Sequence, residues 1–557
     1  MSYIKHIISF LFLVLYPSFA FSSGGTCPSS VPTGITNCYY IDYAGGSDSN
    51  NGTSKDAPWK HAPGMKGAVN NVGPGAIDDY VGGKCGSGPC NYSHTGFIFK
   101  GGVTWTHQAF PMVMRLTGTA IDARVYWGVD PTWYTGSSWT RPILDFGGTD
   151  GTIGTPLVQF APVRYIIWDN FEFINLYWDH TCIGLSNGKV AYLNSGGSVL
   201  GGSYIEIKNN YFHKWSHEAY EPYHVPDTAD MVAGTTQGMN VGSSVHDNVF
   251  DGSDVDNTNG YSGCAVRGSP NIIYNNYFKG LANGFVGLAN DQQGQVYQNT
   301  FDGLGTSFDL TAHTQCYEDN SNHGILFFNN LIKNCTSIGM VVNISTAYGY
   351  TSYVWNNVIY NVVNNSNILV FSYPANQSNG GTNYAFNNTI EAGLDSGTPS
   401  SFILGHLPNL TASIYKNNHI VSTANQAANC TGNCSQSNNL FQTKEEANAQ
   451  GYNSNPLAYP FFPPAGGATI NAGYNLTSFC ASIPASPATP SSACLNDTNI
   501  GVSYNTVNHT VSYPNKPAVI RRTWDIGAYE YQFASSQKVG VGSLIKNGEG
   551  STIKWFE

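Results

Sequence analysis

The sequence predicts an all-β fold in which the chain winds in stacked coils and builds three parallel sheets. Three observations support this prediction: few charged residues, many glycine and aromatic residues, and a recurring asparagine phrase. Of the 557 residues, 11% are charged, 13% are aromatic and 62 are glycine. Long exposed helices are rich in Glu, Lys, Ala and Leu, and disordered chains contain few aromatic residues. The composition therefore differs from that of both classes.

The charge balance limits the partners that we expect. The chain has 24 Lys and Arg residues against 35 Asp and Glu residues, a formal net charge of −11. Nucleic acid is therefore not expected as a partner, because proteins that bind it are typically basic. A chain of this length is also too long for one compact core, so we expect several domains or one elongated repeat structure.

The recurring phrase is a β-rich run followed by Asn, any residue and an apolar residue. Its ten Asn residues are Asn170, Asn210, Asn248, Asn276, Asn299, Asn330, Asn357, Asn388, Asn418 and Asn439. Successive Asn residues lie 21 to 40 positions apart. We interpret the shortest spacing as one minimal coil and the longer spacings as coils with loop insertions on one side.

Each coil is expected to contribute three short strands, because one coil cannot bury its apolar face alone and stacking creates a continuous core. Asn tolerates unusual backbone angles at the bend, and its amide can hydrogen-bond the equivalent Asn of the next coil. The apolar residue two positions later is expected to point inwards: Phe212, Phe250, Phe278, Phe301, Ile332, Ile359, Ile390, Ile420 and Phe441. The first repeat has Glu172 there, which leaves its register open.

The first twenty residues have the pattern of a secretory signal peptide. Lys5 precedes an apolar run over residues 7–16, and Ser18-Phe19-Ala20 offers a cleavage site. The run is shorter than the about 20 apolar residues that span a bilayer. We therefore expect a secreted protein, extracellular or periplasmic, with no membrane attachment after the signal is removed.

All twelve Cys residues follow this segment, and an oxidising compartment favours disulfides between them. Four pairs are close in sequence: Cys27 and Cys38, Cys85 and Cys90, Cys430 and Cys434, and Cys480 and Cys494. We expect structural disulfides, and the connectivity stays open, as do the partners of the more isolated Cys182, Cys264, Cys316 and Cys335.

The repeat and two further stretches resemble the right-handed parallel β-helix family typified by pectate lyases and related polysaccharide-acting proteins. The two stretches are YYIDYAGGSDSNNGTSKDAPWKH at 39–61 and DIGAYEY at 525–531, with INAG at 470–473 ahead of it. The resemblance covers most of residues 39–531. It implies about ten coils and a polysaccharide as the substrate class, but not the reaction, because function resides in sites carried by the fold.

Together, these features of the sequence suggest a division of the chain. We expect a signal peptide over residues 1–20, an N-terminal cap with early irregular coils over 21–160 and the β-helix over 161–445. A closing region is expected over 446–531 and a tail over 532–557. Caps are expected because stacked coils otherwise expose unpaired strand edges. We expect a monomer.

Long loops after the bends are expected to wall a groove along the next sheet. The stretches 213–231, 250–260 and 307–323 gather much of the charge of a chain that is otherwise poor in it. Neighbouring parallel strands lie about 4.8 Å apart, so these stretches are expected to converge within about 10 to 15 Å. The strand that contains Arg267 is predicted to form the groove floor.

Several residues in these stretches are candidates for roles in the groove. Arg267 can neutralise a uronate carboxylate or pair with a neighbouring Asp, and Lys214, His217 or His313 can act as a base. Asp251, Asp254 and Asp256 can bind Ca²⁺ or form a solvated acidic turn. The predicted substrate contacts are Trp215, Tyr220, Tyr223 and Glu318; the three aromatic rings can stack on sugars or cover the loop's own small core.

The leading hypothesis is a secreted enzyme that cleaves an acidic polysaccharide by β-elimination. That reaction needs the uronate carboxylate neutralised, by Arg267 or calcium, and a base to remove the adjacent proton. One alternative is glycoside hydrolysis by paired carboxylates, either Asp254 with Asp256 or Glu318 with Asp319. Another alternative is a non-catalytic surface or carbohydrate-binding protein.

Overall fold

The structure is a computed structural model, and it describes most of the chain with gaps. The described residues are 24–68, 90–110, 112–145, 147, 158–160, 163–175, 191–193, 203–214, 232–234, 242–253, 264–268, 272–280, 283–287, 293–303, 316–322, 324–335, 340–346, 349–362, 367–372, 380–392, 403–404, 410–422, 430, 432–453, 459–484, 490–513 and 516–532. Three large parallel sheets dominate them, and we number the sheets in the order in which each coil visits them.

Each sheet takes one strand from successive coils. In the described residues, sheet 1 has 13 strands: Asn37–Ile41, Thr95–Gly101, Val125–Tyr134, Arg164–Asp169, Ser203–Lys208, Ser244–His246, Ile272–Tyr274, Gly294–Tyr297, Ile325–Phe328, Thr351–Trp355, Thr382–Phe386, Ala412–Lys416 and Cys434–Ser437. Sheet 2 has 12: Thr104–Trp105, Ile143–Asp145, Glu172–Ile174, Tyr211–His213, Val249–Asp251, Tyr277–Lys279, Thr300–Asp302, Leu331–Lys333, Val358–Val362, Thr389–Ala392, His419–Ser422 and Leu440–Thr443. Sheet 3 has 10: Met112–Met114, Val158–Phe160, Ala191–Leu193, Val232–Gly234, Cys264–Gly268, Asn283–Gly287, Tyr317–Asn322, Met340–Thr346, Asn367–Ser372 and Ile403–Leu404.

The other described elements are small. Cys90–Asn91 pairs in parallel with Leu116–Thr117, and Ser503–Asn505 forms an antiparallel hairpin with Thr510–Ser512. The helices are a 3₁₀ turn at His107–Ala109 and the α-helices Lys444–Gln450, Thr477–Cys480 and Pro490–Leu495. None of the helices in this part of the chain has the length and hydropathy needed to cross a membrane.

The strand pairing confirms the predicted winding. Ile272–Tyr274 pairs in parallel with Ser244–His246 of the coil before and with Gly294–Tyr297 of the coil after. The same relation holds along sheets 2 and 3, so the chain is the predicted all-β parallel β-helix. Sheet 1 already begins at Asn37–Ile41, well ahead of the first asparagine phrase.

The core is a stack of equivalent side chains. The rings of Phe173, Phe212, Phe250, Phe278 and Phe301 lie one above the next, with centroids 4.5 to 5.2 Å apart. The predicted inward residues of the following coils continue the row and are buried: Ile332, Ile359, Ile390 and Ile420. Burial of one such side chain contributes roughly 1.5–3 kcal/mol, so the stack is a main source of stability.

The predicted asparagine ladder is confirmed. The Nδ2 atom of each Asn from Asn210 to Asn418 donates to the Oδ1 atom of the next one, at 3.0 to 3.1 Å. The same Oδ1 atom also accepts the backbone N–H of the preceding Asn, as Asn299 Oδ1 does from Asn276 at 3.0 Å. Asn276 and Asn299 therefore lie on consecutive coils, as expected.

The backbone role that we expected for these Asn residues was wrong by one position. The left-handed residue is the one before each ladder Asn, with φ between 52° and 57°: Asn209, Asp247, Asn275, Gln298, Asn329, Asn356, Asn387, Asn417 and Asn438. The turn has two residues, so one adopts the left-handed angle and the other forms the ladder.

The one-position offset between the left-handed residue and the ladder position also determines the register of the first repeat. Asn170 has φ of 75° and is equivalent to Asn209, because Phe173 pairs with Phe212. Phe171 takes the ladder position, and its backbone N–H donates to Asn210 Oδ1 at 2.9 Å.

A C-terminal segment over residues 469–531 runs out and back along the outside of the coils. Its carbonyl groups accept hydrogen bonds from Asn417, Asn356, Thr300 and Arg141, on progressively earlier coils. The chain then returns, and Gly527 donates to Asn417 again at 2.7 Å. The stretch DIGAYEY at 525–531 lies on this return path and is largely buried, so its role here is structural.

Three of the expected disulfides are present: Cys27–Cys38, Cys430–Cys434 and Cys480–Cys494. A fourth disulfide joins Cys316 to Cys335, which the sequence left unassigned. Cys90 is also disulfide-bonded, whereas Cys85 and Cys182 lie outside the described residues.

Candidate functional site

The connections between sheets differ strongly in length, and this places the groove. Sheet 1 passes to sheet 2 through two residues, as between Asp169 and Glu172. In some coils sheet 2 passes to sheet 3 through much longer stretches, as from His213 to Val232 and from Asp302 to Tyr317, whereas only three residues separate Lys279 from Asn283. Long connections on one side of a solenoid typically border its binding face. The candidate groove therefore has sheet 3 as its floor, as we predicted.

The register of sheet 3 brings two of the predicted residues, Arg267 and Glu318, into one row. Ala233, Arg267, Val286, Glu318 and Asn343 are paired from strand to strand in that order. At about 4.8 Å per strand, the backbone of Arg267 lies about 10 Å from that of Glu318 and about 15 Å from that of Asn343. Residues far apart in sequence thus converge on the floor.

Glu318 and Asn343 are polar residues with little exposure, 6% and 4%. Burying polar groups is costly unless hydrogen bonds compensate. Within the described part of the chain, Asn343 Oδ1 has no hydrogen-bond partner. The sequence analysis did not identify Asn343. Its strand begins with MVVNI, and Asn343 is the one polar residue among these five.

Asp319 lies on the other side of the strand from Glu318. It shares its row with Ile344 and Phe371, both fully buried in the core. Tyr317 stands two residues before Asp319 in the same strand. Its pKa is raised well above its ordinary value, mainly by burial and also by the charge of Asp319. Because adjacent residues of a strand point to opposite faces, Glu318 and Asp319 do not form a pair of carboxylates around one bond. This placement does not favour the hydrolysis alternative for that pair.

Lys214 lies at the corner where the chain leaves sheet 2. It directly follows the strand Tyr211–His213 and has a left-handed φ of 52°. The equivalent positions of other coils are Asn175, Gly280, Gly303 and Asn334, with φ between 58° and 68°. The angle is therefore a feature of the turn at this corner, and it places Lys214 beside the connection to sheet 3.

Asp251 is held by neighbours on sheet 2. Its Oδ2 atom lies 3.2 Å from Lys279 Nζ, and its Oδ1 atom accepts the backbone N–H of Ser253 at 3.0 Å and also the Ser253 hydroxyl. A carboxylate already engaged by an ammonium group does not fit the role of a calcium ligand. Within the described ranges, no group of three or more His, Cys, Asp or Glu side chains is arranged to hold a metal ion.

The Asp251–Lys279 pair belongs to a charged row that our sequence reasoning missed. Asp251, Lys279, Asp302 and Lys333 follow one another across sheet 2, and Lys333 lies 3.1 Å from Asp302. The signal was present in the sequence, because each of these residues stands three positions after a ladder Asn.

The remaining predicted site residues lie outside the described residues. They are His217, His313, Trp215, Tyr220, Tyr223, Asp254 and Asp256.

A second polar cluster lies on the outer face of sheet 1. His246 Nδ1 is 2.6 Å from Asp247 Oδ2, and His246 Nε2 is 3.2 Å from Glu206 Oε1. Glu206 also pairs with Lys208 at 2.8 Å and with Arg124, and Tyr513 of the C-terminal segment donates to Asp247 Oδ1 at 2.6 Å. Burial alone lowers the pKa of His246, but its hydrogen bonds to Asp247 and Glu206 outweigh burial and raise the pKa.

We expect this cluster to make stability depend on pH. A group whose pKa is raised by folding stabilises the protein fully below its unfolded value, about 6.5, and the contribution is lost as the pH rises through the folded value. The free energy of unfolding is therefore expected to fall as the pH rises from about 6.5 through the raised folded value of His246. Urea unfolding measures it, and His246→Gln serves as the control. An equal fall in that variant would show that His246 is not responsible.

Comparisons with known proteins show similarity in fold only. No protein-family model matches the chain, and neither does any curated protein sequence. The GH136 lacto-N-biosidase from Eubacterium ramulus is 14% identical, with a TM-score of 0.41, over 73% of this chain and 68% of that one. The pectate lyase Pel9A is 14% identical, with a TM-score of 0.39, over 89% of this chain and 96% of that one. The PL6 family alginate lyase AlyGC is 13% identical, with a TM-score of 0.38, over 78% of this chain and 55% of that one.

Proposed function

We propose that this protein is a secreted carbohydrate-active enzyme that cleaves an acidic polysaccharide by β-elimination in the groove along sheet 3. The observation that carries the proposal is the row on sheet 3 that joins Arg267, Glu318 and Asn343. A groove floor that places one cation and two hydrogen-bonding side chains within about 15 Å suits a chain of charged sugars. The disulfides, among them Cys316–Cys335 in the buried core, agree with an oxidising, extracytoplasmic location.

In the proposed reaction, Arg267 binds the carboxylate of a uronate residue and neutralises the negative charge of that carboxylate. This lowers the barrier to removal of the proton on the adjacent carbon, because the charge that develops there is stabilised by the neutralised carboxylate. Lys214, His217 or His313 takes the proton. The electron pair forms a carbon–carbon double bond, the glycosidic C–O bond breaks, and the leaving oxygen takes up a proton. Glu318 accepts hydrogen bonds from sugar hydroxyls, and Trp215, Tyr220 and Tyr223 stack on the rings.

The test is incubation with pectate, alginate and glycosaminoglycans while the ultraviolet absorbance of the new unsaturated bond is followed. β-Elimination increases this absorbance together with the number of reducing ends. New reducing ends without absorbance would show hydrolysis and overturn the proposed reaction. Binding with neither signal would show a carbohydrate-binding protein and overturn the assignment as an enzyme.

The contacts of Asp251 lead to a prediction about calcium. Since Lys279 and Ser253 engage its carboxylate, we expect the rate to be unchanged after thorough chelation. The measurement is the absorbance assay in a metal-free buffer, with Ca²⁺ added back as the control. Loss of activity that Ca²⁺ restores would contradict this expectation and return attention to Asp254 and Asp256 as ligands.

A further inference from the structure

A pocket separate from the groove lies between the outer face of sheet 1 and the C-terminal segment. Its volume is about 290 Å³, near the lower limit of ligand pockets. Tyr384, Phe386 and Ile414 of sheet 1 form one wall, and Leu476 and Phe479 of the C-terminal segment form the other.

The pocket occurs where an aromatic row on sheet 1 ends. The rings of Phe328, Trp355 and Phe386 stack on consecutive coils at 4.3 and 5.7 Å, and Leu476 and Cys480 of the C-terminal segment cover them. The next residue in the row is not aromatic. It is Lys416, which pairs with Phe386 in the sheet.

Lys416 is a cation without a carboxylate partner among the described residues. None of the described lining side chains is acidic, and Lys416 forms no ion pair in that part of the chain. Its ammonium group lies 4.7 Å from the ring centre of Tyr474. The pocket therefore combines apolar walls with an unneutralised positive charge, which favours a ligand that has an apolar face and an anionic group.

Tyr474 is held in place at the mouth of the pocket although 51% of its surface is exposed. Its backbone N–H donates to Asn417 Oδ1 at 2.7 Å, and its carbonyl oxygen accepts Asn417 Nδ2 at 2.8 Å. Asn417 is one of the left-handed turn residues that directly precede a ladder Asn. An exposed ring on a backbone fixed at both polar groups is preorganised for stacking, because little freedom is lost when a ligand binds. Asn475 and Ser478 supply polar atoms at the same mouth.

We propose that this pocket is a second glycan-binding site that takes a single uronate residue. The ring packs on Tyr474 and the apolar walls through its C–H face, and the carboxylate pairs with Lys416. This inference depends on the proposed function in one respect: the uronate comes from the same class of acidic polysaccharide that the groove is proposed to cleave. The pocket holds the polymer at a site separate from the groove and so raises its local concentration at the enzyme.

The experiment uses sodium glucuronate, a monosaccharide with no glycosidic bond to break, so binding is measured apart from turnover. The full-length Arg267→Ala protein is the background, because it removes the proposed groove contact for a carboxylate. Ligand-observed saturation-transfer NMR gives the dissociation constant. We expect saturable binding of glucuronate, at least tenfold weaker binding of glucose, and at least tenfold weaker glucuronate binding after Lys416→Met or Tyr474→Ala.

Two control variants are matched to these changes. Tyr474→Phe keeps the ring and is expected to bind within about twofold of the background, as is Lys333→Met, which removes a lysine on sheet 2. Thermal unfolding verifies that each variant is folded. The inference is overturned by absent saturable binding in the background, by equal binding of glucose, or by unchanged binding in Lys416→Met and Tyr474→Ala.

Failure of this inference and failure of the proposed function give different results. If Lys416→Met binds normally while the wild-type protein produces unsaturated sugars, the inference fails and the proposed function stands. If no substrate is cleaved while glucuronate binding depends on Lys416, the function fails and the second site stands.

Discussion

Replacement of Arg267 by alanine is expected to abolish the production of unsaturated sugars and to leave the fold intact. Removal of a group that stabilises the charge of a transition state typically lowers turnover about 10²- to 10³-fold. The strand itself is held by backbone pairing with Ala233 and Val286, which the substitution does not change. The measurements are the initial rate of absorbance increase and the free energy of unfolding in urea.

Two further variants complete this test. Arg267→Lys keeps the charge but loses the two parallel hydrogen bonds to a carboxylate, so its rate is expected to lie between those of the wild type and Arg267→Ala. Arg522→Ala removes an exposed arginine of the C-terminal segment and is expected to have the wild-type rate. Undiminished activity of Arg267→Ala would remove this residue from the mechanism.

Replacement of Asn299 by alanine is expected to lower the free energy of unfolding by about 3–5 kcal/mol. Asn299 is fully buried in the middle of the ladder. Its Oδ1 atom accepts both the backbone N–H and the Nδ2 of Asn276 at 3.0 Å, and its Nδ2 donates to Asn330 Oδ1 at 3.1 Å. Alanine leaves these neighbouring groups buried without partners, and each such group costs roughly 1–3 kcal/mol.

Asn439 offers a matched control, because it is the last Asn of the ladder and is only partly buried. Water can replace its side chain, so Asn439→Ala is expected to cost about 1 kcal/mol. Urea unfolding measures both variants. Equal losses for Asn299→Ala and Asn439→Ala would contradict this expectation. They would mean that the contribution of a ladder Asn to stability does not depend on how deeply its amide is buried.

The repeat predicted most of the fold because it encodes contacts between neighbours in space. Each coil repeats the Asn and the inward apolar residue, so stacking is the arrangement that buries both. Phe278 and Asn276 were therefore placed correctly from their spacing alone. The left-handed residue was misplaced by one position because two consecutive polar residues such as Asn275 and Asn276 look alike in sequence. Only the backbone angles separate their roles.

The site was less accessible to sequence reasoning than the scaffold. The convergence of Arg267 with Glu318 followed from coil counting, and the register confirmed it. The separation of Glu318 from Asp319 onto opposite faces depends on which residue of the strand faces the core. The engagement of Asp251 by Lys279 depends on a neighbour that lies 28 positions along the chain.

The order of residues along the chain was thus sufficient for the winding, the ladder and the interior row, since these arise from a short pattern repeated in every coil. Other features became visible only in the tertiary structure. The path of residues 469–531 back across earlier coils, and the pocket that it forms over Lys416, join positions that no periodic pattern relates. Their contacts arise from packing between distant segments, and such packing depends on shape in three dimensions.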